Sequence, residues 1–224
     1  MKNWLKILLI ISGKDILIEL KSKEIVVAIT LFSLLVVSIF AITSSNPSSI
    51  PAEMGSGIIW ASIVFSGSIA MSKFFYHEEK NETLNAILLM PIPIELIFFS
   101  KILSLFLFLT ISECLIIAVF SILFNSNPLS LYILVAVPVF NLGFSSIGTF
   151  FGIISSKSRS NEILLTLLII PILIPLIMFA TELTRAGLSG TGSQNFNLWL
   201  SLGISFDIIF IIVLTFLFGK IIEQ

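Results

Sequence analysis

From Ile25 to Thr43 the chain carries no charge, and its only polar side chains are hydroxyls. About 20 such residues, rising 1.5 Å each in a helix, match the roughly 30 Å hydrocarbon core of a bilayer. Polar boundaries frame the run, with Lys21-Ser-Lys-Glu24 before it and Ser44-Ser-Asn-Pro-Ser-Ser-Ile-Pro51 after it. Comparable apolar runs recur at about 55–72, 96–124, 129–154, 162–180 and 198–218. Hydrophobic residues make up 57% of the chain and charged residues 11%, with a mean hydropathy of +1.12. A soluble domain has about a quarter of its residues charged, so a water-soluble core cannot absorb this much apolar surface. The expected fold is an all-α membrane protein with six transmembrane helices in one domain, residues 1–224, with no room for a separate soluble unit.

The basic residues set the orientation. With the N-terminus in the cytoplasm, Lys2, Lys6, Lys14, Lys21, Lys23, Lys73, Lys80, Lys101, Lys157, Arg159 and Lys220 all fall on the inner side, leaving only Arg185 of the 12 outside. That one-sided distribution predicts both termini in the cytoplasm. The same scatter, with a net charge of −1, offers no basic patch for nucleic acid. Lys2 and Lys6 before Ile7-Leu-Leu-Ile-Ile11 imitate a signal peptide, but the run is short and no small-residue cleavage site follows. Residues 1–24 instead read as an amphipathic elbow helix on the cytoplasmic membrane surface. Trp4, Leu8, Ile11, Ile16, Leu17 and Leu20 form its apolar side, interrupted at Gly13, and Lys14, Asp15, Lys21 and Lys23 are expected in water.

The search for catalytic chemistry finds little. Cys114 is the single cysteine and lies within a span, which excludes an internal disulfide and a multi-cysteine metal site. His77, the single histidine, sits in a polar segment beside Glu78 and Glu79 and reads as a solvated residue. No GxxxxGK[ST] phosphate loop occurs. The chain is therefore expected to be a non-enzymatic membrane subunit with no cofactor, metal or catalytic residue of its own.

Within the spans, small and acidic residues carry more information. Gly148-Thr-Phe-Phe-Gly152 has the GxxxG spacing that lets helix backbones approach closely, as do Ser62, Ser66 and Ala70 at four-residue intervals. Gly148 and Gly152 could serve packing inside one subunit or a seam between two copies. Pro138, Pro171 and Pro175 are expected to bend their helices. Glu113 and Asp207 lie near the middle of the third and sixth spans, where an acid costs about 2.5–3.5 kcal/mol on the insertion scale and so faces an interior, a cavity or a partner. Hydroxyls such as Ser112, Ser205 and Thr215 are candidate hydrogen-bond donors to them, and a transport or partner role is the alternative.

The segment 73–95 between the second and third spans is polar at first, then apolar up to Pro91 and Pro93. The pattern from Glu78 to Leu89 suits a short helix across the cytoplasmic face, where a separate ATPase could push. An ordinary loop fits the same residues.

Lys14-Asp-Ile-Leu-Ile-Glu-Leu-Lys21 before the first span, Phe75-Tyr-His-Glu-Glu79 with Thr83-Leu84 and Leu88-Leu-Met-Pro91 after the second, and Lys101 opening the third resemble CcmB, the heme exporter protein B family. Gly148-Thr-Phe-Phe-Gly152, Glu162-Ile-Leu-Leu165, Leu173-Ile-Pro175 and Glu182 agree in order and spacing. Where members of that family often read Gly-Thr-Leu-Glu, this chain has Glu82-Thr-Leu-Asn85.

The resemblance implies an ABC-2-type permease of the bacterial inner membrane. It would act as a dimer with a separate CcmA-like ATPase subunit, alongside CcmC-like and CcmD-like heme-handling subunits and a heme carrier. ATP would be bound by the partner, heme handled by the complex, and Phe75, Glu78, Glu79, Thr83 and Leu84 would form the coupling contacts. Trp4, Trp60 and Trp199 are dispersed and no external histidine is present, so no heme site is expected in this chain. A general ABC-2-type exporter of a lipid or glycan, and a membrane scaffold that never meets an ATPase, are the rival readings.

Overall fold

The structure is a computed structural model, and it describes residues 2–44, 50–80, 87, 89–156, 162–190, 192 and 195–222. Among these the chain is all helical: α1 (Lys2–Ser22), α2 (Glu24–Thr43), α3 (Ala52–Lys80), α4 (Ile94–Phe124), α5 (Leu131–Ser156), α6 (Glu162–Ser189) and α7 (Phe196–Ile222). Helices α2 to α7 each contain a stretch long and apolar enough to cross a bilayer, giving six candidate spans among the described residues.

Contacts at both ends of the bundle show that the spans alternate in direction. Phe98 near the start of α4 stacks on Phe218 near the end of α7, with ring centroids 4.8 Å apart. At the opposite end, Arg185 of α6 lies 3.7 Å from Glu53 in the first turn of α3. Helix α3 is the most enclosed span and touches α2, α4, α5 and α6. Helix α7 packs against α4, α5 and α6, and α1 lies against α4 and α2. The core is dominated by phenylalanines, including Phe98, Phe108, Phe120, Phe140, Phe144 and Phe179. Near the Arg185 end, the Trp60 indole N–H donates to Thr184 Oγ1 at 2.8 Å, and the Trp60 ring lies 4.6 Å from that of Phe140, which ties α3 to α6 and α5.

Close packing of α3 follows from its small residues. Ser62, Ser66, Ser68 and Ser72 donate their hydroxyls to carbonyls four residues back, at 2.5–3.1 Å. A serine satisfied within its own helix presents little bulk and no unmet donor to its neighbour.

Several helix limits differ from the expected ones. Helix α3 does not stop at Ser72 but continues to Lys80, because Lys73 to Lys80 contains no glycine or proline and its charged residues are good helix formers. Polarity there marks departure from the apolar layer, not the end of the helix. Likewise α6 runs past Ala180 to Ser189, held by the i,i+3 pair of Glu182 and Arg185 at 2.6 Å, and it ends where Gly190 takes a left-handed φ of 66°. Helix α1 is unbroken at Gly13, since nothing crowds that position and packing on α4 outweighs a propensity cost of about 1 kcal/mol. Pro138, Pro171 and Pro175 lie inside continuous helices. Asn125, with φ 48°, closes α4 in the left-handed conformation that asparagine tolerates.

A candidate coupling site at the α1 end of the bundle

Ile11, Ser12, Asp15 and Glu19 are buried on one side of α1, at the spacing that puts residues on one helical face. Trp4, Leu5, Leu9, Ile10, Leu17 and Ile18 point outward. This reverses the expectation that Asp15 stays in water. The Asp15 side chain is only 4% exposed, and its partner Lys101 of α4 is fully enclosed at 0%. Lys101 Nζ donates to Asp15 Oδ2 at 2.7 Å, and Ser104 Oγ donates to the same oxygen at 3.2 Å. Lys14 Nζ lies 3.4 Å from the other carboxylate oxygen. A charge this deep is tolerated only when paired and hydrogen-bonded, which explains why α1 is clamped to the base of α4 rather than resting on the membrane surface alone.

The contact continues into the central helix. Lys101 Nζ sits 5.7 Å from the centroid of the Phe74 ring on α3, within cation–π range. Phe74 meets Phe75 edge-to-face at 5.2 Å. The Phe75 ring lies directly over Gly152 of α5, so close that a methyl group on that glycine would overlap it. One helical turn away, a Cβ on Gly148 would come within 2.6 Å of Met71 Sδ. The GxxxG pair is thus covered by α3 of the same chain, and four helices, α1, α4, α3 and α5, are joined through side chains at this end.

The two acids in the spans occupy different surroundings. Glu113 of α4 is 2% exposed and accepts a hydrogen bond from the Asn141 amide of α5 at 2.7 Å. That amide also donates to Thr110 Oγ1 at 3.0 Å. Glu113 Oε1 and Asn141 Oδ1 have no hydrogen-bond partner among the described residues. Asp207 of α7 is 3% exposed and lies against Gly143 of α5, at a point where an alanine methyl would collide with its Oδ1. That oxygen is buried without a hydrogen bond. Neither acid uses the hydroxyls expected from sequence: Ser112 and Thr215 donate to the carbonyls of Phe108 and Ile211, and Ser205 is exposed. Among the described residues, no group of three histidine, cysteine or acidic side chains could hold a metal ion.

A bundle of this span number, with the elbow before it and the long α3 at its centre, is matched along its sequence from residue 6 to residue 224 by the family model described as CcmB protein. The chain belongs to the CcmB family. It is also similar to a protein of Rhodobacter capsulatus called heme exporter protein B, with 25% identity over 160 residues, covering 71% of this chain and 73% of that protein.

Seen in this CcmB-family chain, the residues singled out from sequence divide into two groups. Phe75 is buried at the α3–α5 contact, and Glu78 and Glu79 fall in the final turns of α3. Thr83 and Leu84, with most of the expected short helix from Glu78 to Leu89, lie outside the described residues. The side-chain pairings of Lys101 and Asn141 escaped sequence reading. Lys101 registers as one more inner-side cation, although its position inside the apolar run, between Ser100 and Ile102, already called for a buried counter-charge. Asn141, the lone amide of its span, escapes a search confined to acids and small residues, although a polar amide at that depth needs a partner as much as an acid does.

Proposed function

We propose that this CcmB-family chain is the membrane permease subunit of an ABC-type complex in cytochrome c biogenesis. A separate CcmA-like ATPase supplies the energy, and the permease passes it to heme handling, either as release of a heme-loaded carrier or as heme export. The chain acts in the bacterial inner membrane with both termini in the cytoplasm, as a dimer, beside CcmC-like and CcmD-like subunits. Family membership and the name of the Rhodobacter relative support the heme assignment.

The observation that carries the coupling reading is the continuity of α3. A single helix joins the most enclosed part of the bundle to the charged residues Glu78, Glu79 and Lys80 at its end, so a push on that end needs no flexible joint to reach the core. Phe75 over Gly152 and Phe74 beside Lys101 tie the same helix to α5, α4 and α1. In this reading Glu78 and Glu79 meet the ATPase, with Thr83 and Leu84 following them. The chain itself has no phosphate-binding loop.

Reversing both charges, Glu78→Lys with Glu79→Lys, tests the proposal in cells that carry the whole complex. The ATPase is expected to remain bound and to hydrolyse ATP, while holo-cytochrome c falls at least tenfold. Undiminished cytochrome c with the reversed charges refutes a coupling role for these residues. Failure of the unaltered chain to co-purify with an ATPase refutes the subunit assignment itself.

A further inference from the structure

Between α4, α5 and α7 lies a cavity of about 320 Å³, lined by Phe106, Pro138, Val139, Leu142, Ile204, Asp207, Ile208 and Ile211. Its walls are otherwise apolar, and Asp207 is the single charged group among them. The cavity reaches the outer surface, since Ile204 and Ile208 on its rim are 42% and 54% exposed. Helix α7 is also the least enclosed of the six candidate spans. Asp207 thus lines an open apolar groove while its Oδ1, packed against Gly143, accepts no hydrogen bond, an incomplete arrangement because an acid at this depth is normally paired.

We infer that this groove seats a transmembrane helix of a different membrane polypeptide, whose lysine or arginine completes Asp207. Depth selects this occupant. Asp207 lies near the middle of α7, roughly 17 Å along the helix from Phe196 at 1.5 Å per residue, whereas a lipid amine belongs to the headgroup layer at either edge of the roughly 30 Å core. A cation at mid-membrane depth therefore comes from a side chain on a spanning helix. A second copy of this chain does not supply one. Among the described residues, the outward faces of the spans carry no lysine or arginine near their middles, and two copies meeting through this groove would set Asp207 against Asp207. The partner's cation, costly to insert alone, gains in Asp207 the counter-charge it needs. The inference rests on the reading that this chain works inside a larger membrane complex, and it names the residue and surface by which one member joins.

The test places a photo-crosslinking residue at Ile208 of the full chain, in membranes that contain the whole complex. The expected adduct maps to a spanning segment of another polypeptide, with a lysine or arginine within about one helical turn of the crosslink. Asp207→Asn, which removes charge and keeps shape, is expected to lower its yield at least tenfold. Asp207→Lys should abolish it, and replacing the mapped basic residue by aspartate should restore it. Because Asp207 variants can disturb folding, Ile204→Trp serves as a second probe: it leaves the acid in place, fills the groove, and is expected to give the same loss. An adduct only with lipid or with a second copy, a mapped segment without a basic residue, or a yield indifferent to Asp207→Asn overturns the inference. ATPase co-purification from the same membranes separates the two levels. A retained ATPase with a failed crosslink removes this inference alone, whereas an ATPase absent from the unaltered complex removes the subunit reading beneath it.

Discussion

Replacing Lys101 with methionine keeps an unbranched apolar stem in the space beneath α1 and removes only the ammonium. Asp15, 4% exposed, then loses the donor at 2.7 Å and keeps Ser104 at 3.2 Å and the half-exposed Lys14 at 3.4 Å. Breaking a buried pair from one side typically costs about 3–5 kcal/mol. The residual contacts to Ser104 and Lys14 place this case near the lower end, at about 3 kcal/mol. At about 2–4 °C per kcal/mol for a chain of this size, the melting temperature is expected to fall by roughly 6–12 °C. Adding Asp15→Asn to Lys101→Met removes the stranded charge, so the double variant should recover part of the loss, with a coupling energy of at least about 1 kcal/mol. Thermal unfolding of the detergent-purified protein, followed by tryptophan fluorescence, reads all three variants. A shift under about 2 °C for Lys101→Met, or single effects that add to within about 0.5 kcal/mol, would refute the argument that this pair clamps α1 to α4.

Gly152→Ala is expected to destabilise the chain by about 1–3 kcal/mol, because its methyl group enters the space of the Phe75 ring. Phe75→Leu in the same chain should return part of that stability, as read by the same melting assay. Asn141→Leu removes the donor to Glu113 and to Thr110 and should cost about 1–3 kcal/mol. Adding Glu113→Leu should reduce the loss, since no buried acceptor would then be left stranded, and equal stability of the two variants would contradict this.

Sequence patterning made the six spans legible because hydrocarbon solvation acts on each segment separately: Ile25–Thr43 needs no knowledge of its neighbours to be placed in a membrane. Helix ends were less legible. Polarity after Ser72 and after Ala180 reports where the chain leaves the apolar layer, whereas the helices persist until Lys80 and Ser189. Side-chain partnership was the least legible level. Asp15 read as a solvated charge because local amphipathic pattern assigns charge to water, and the lysine that draws it inward belongs to another span. The two glycines Gly148 and Gly152 were recognisable as a close-approach surface, but only the fold says that Met71 and Phe75 are what approaches.

The same clamp imposes an order in time. Asp15 and Lys101 are separated by 86 residues, so at synthesis rates of about 5–20 residues per second the acid waits roughly 4–17 s for its partner to be made. During that interval α2 and α3 are already available for insertion, while the Asp15 carboxylate has only the half-exposed Lys14 beside it and not the enclosed Lys101. Docking of α1 therefore reports that α4 has arrived, which makes the elbow helix a late seal on a bundle whose first spans are built without it.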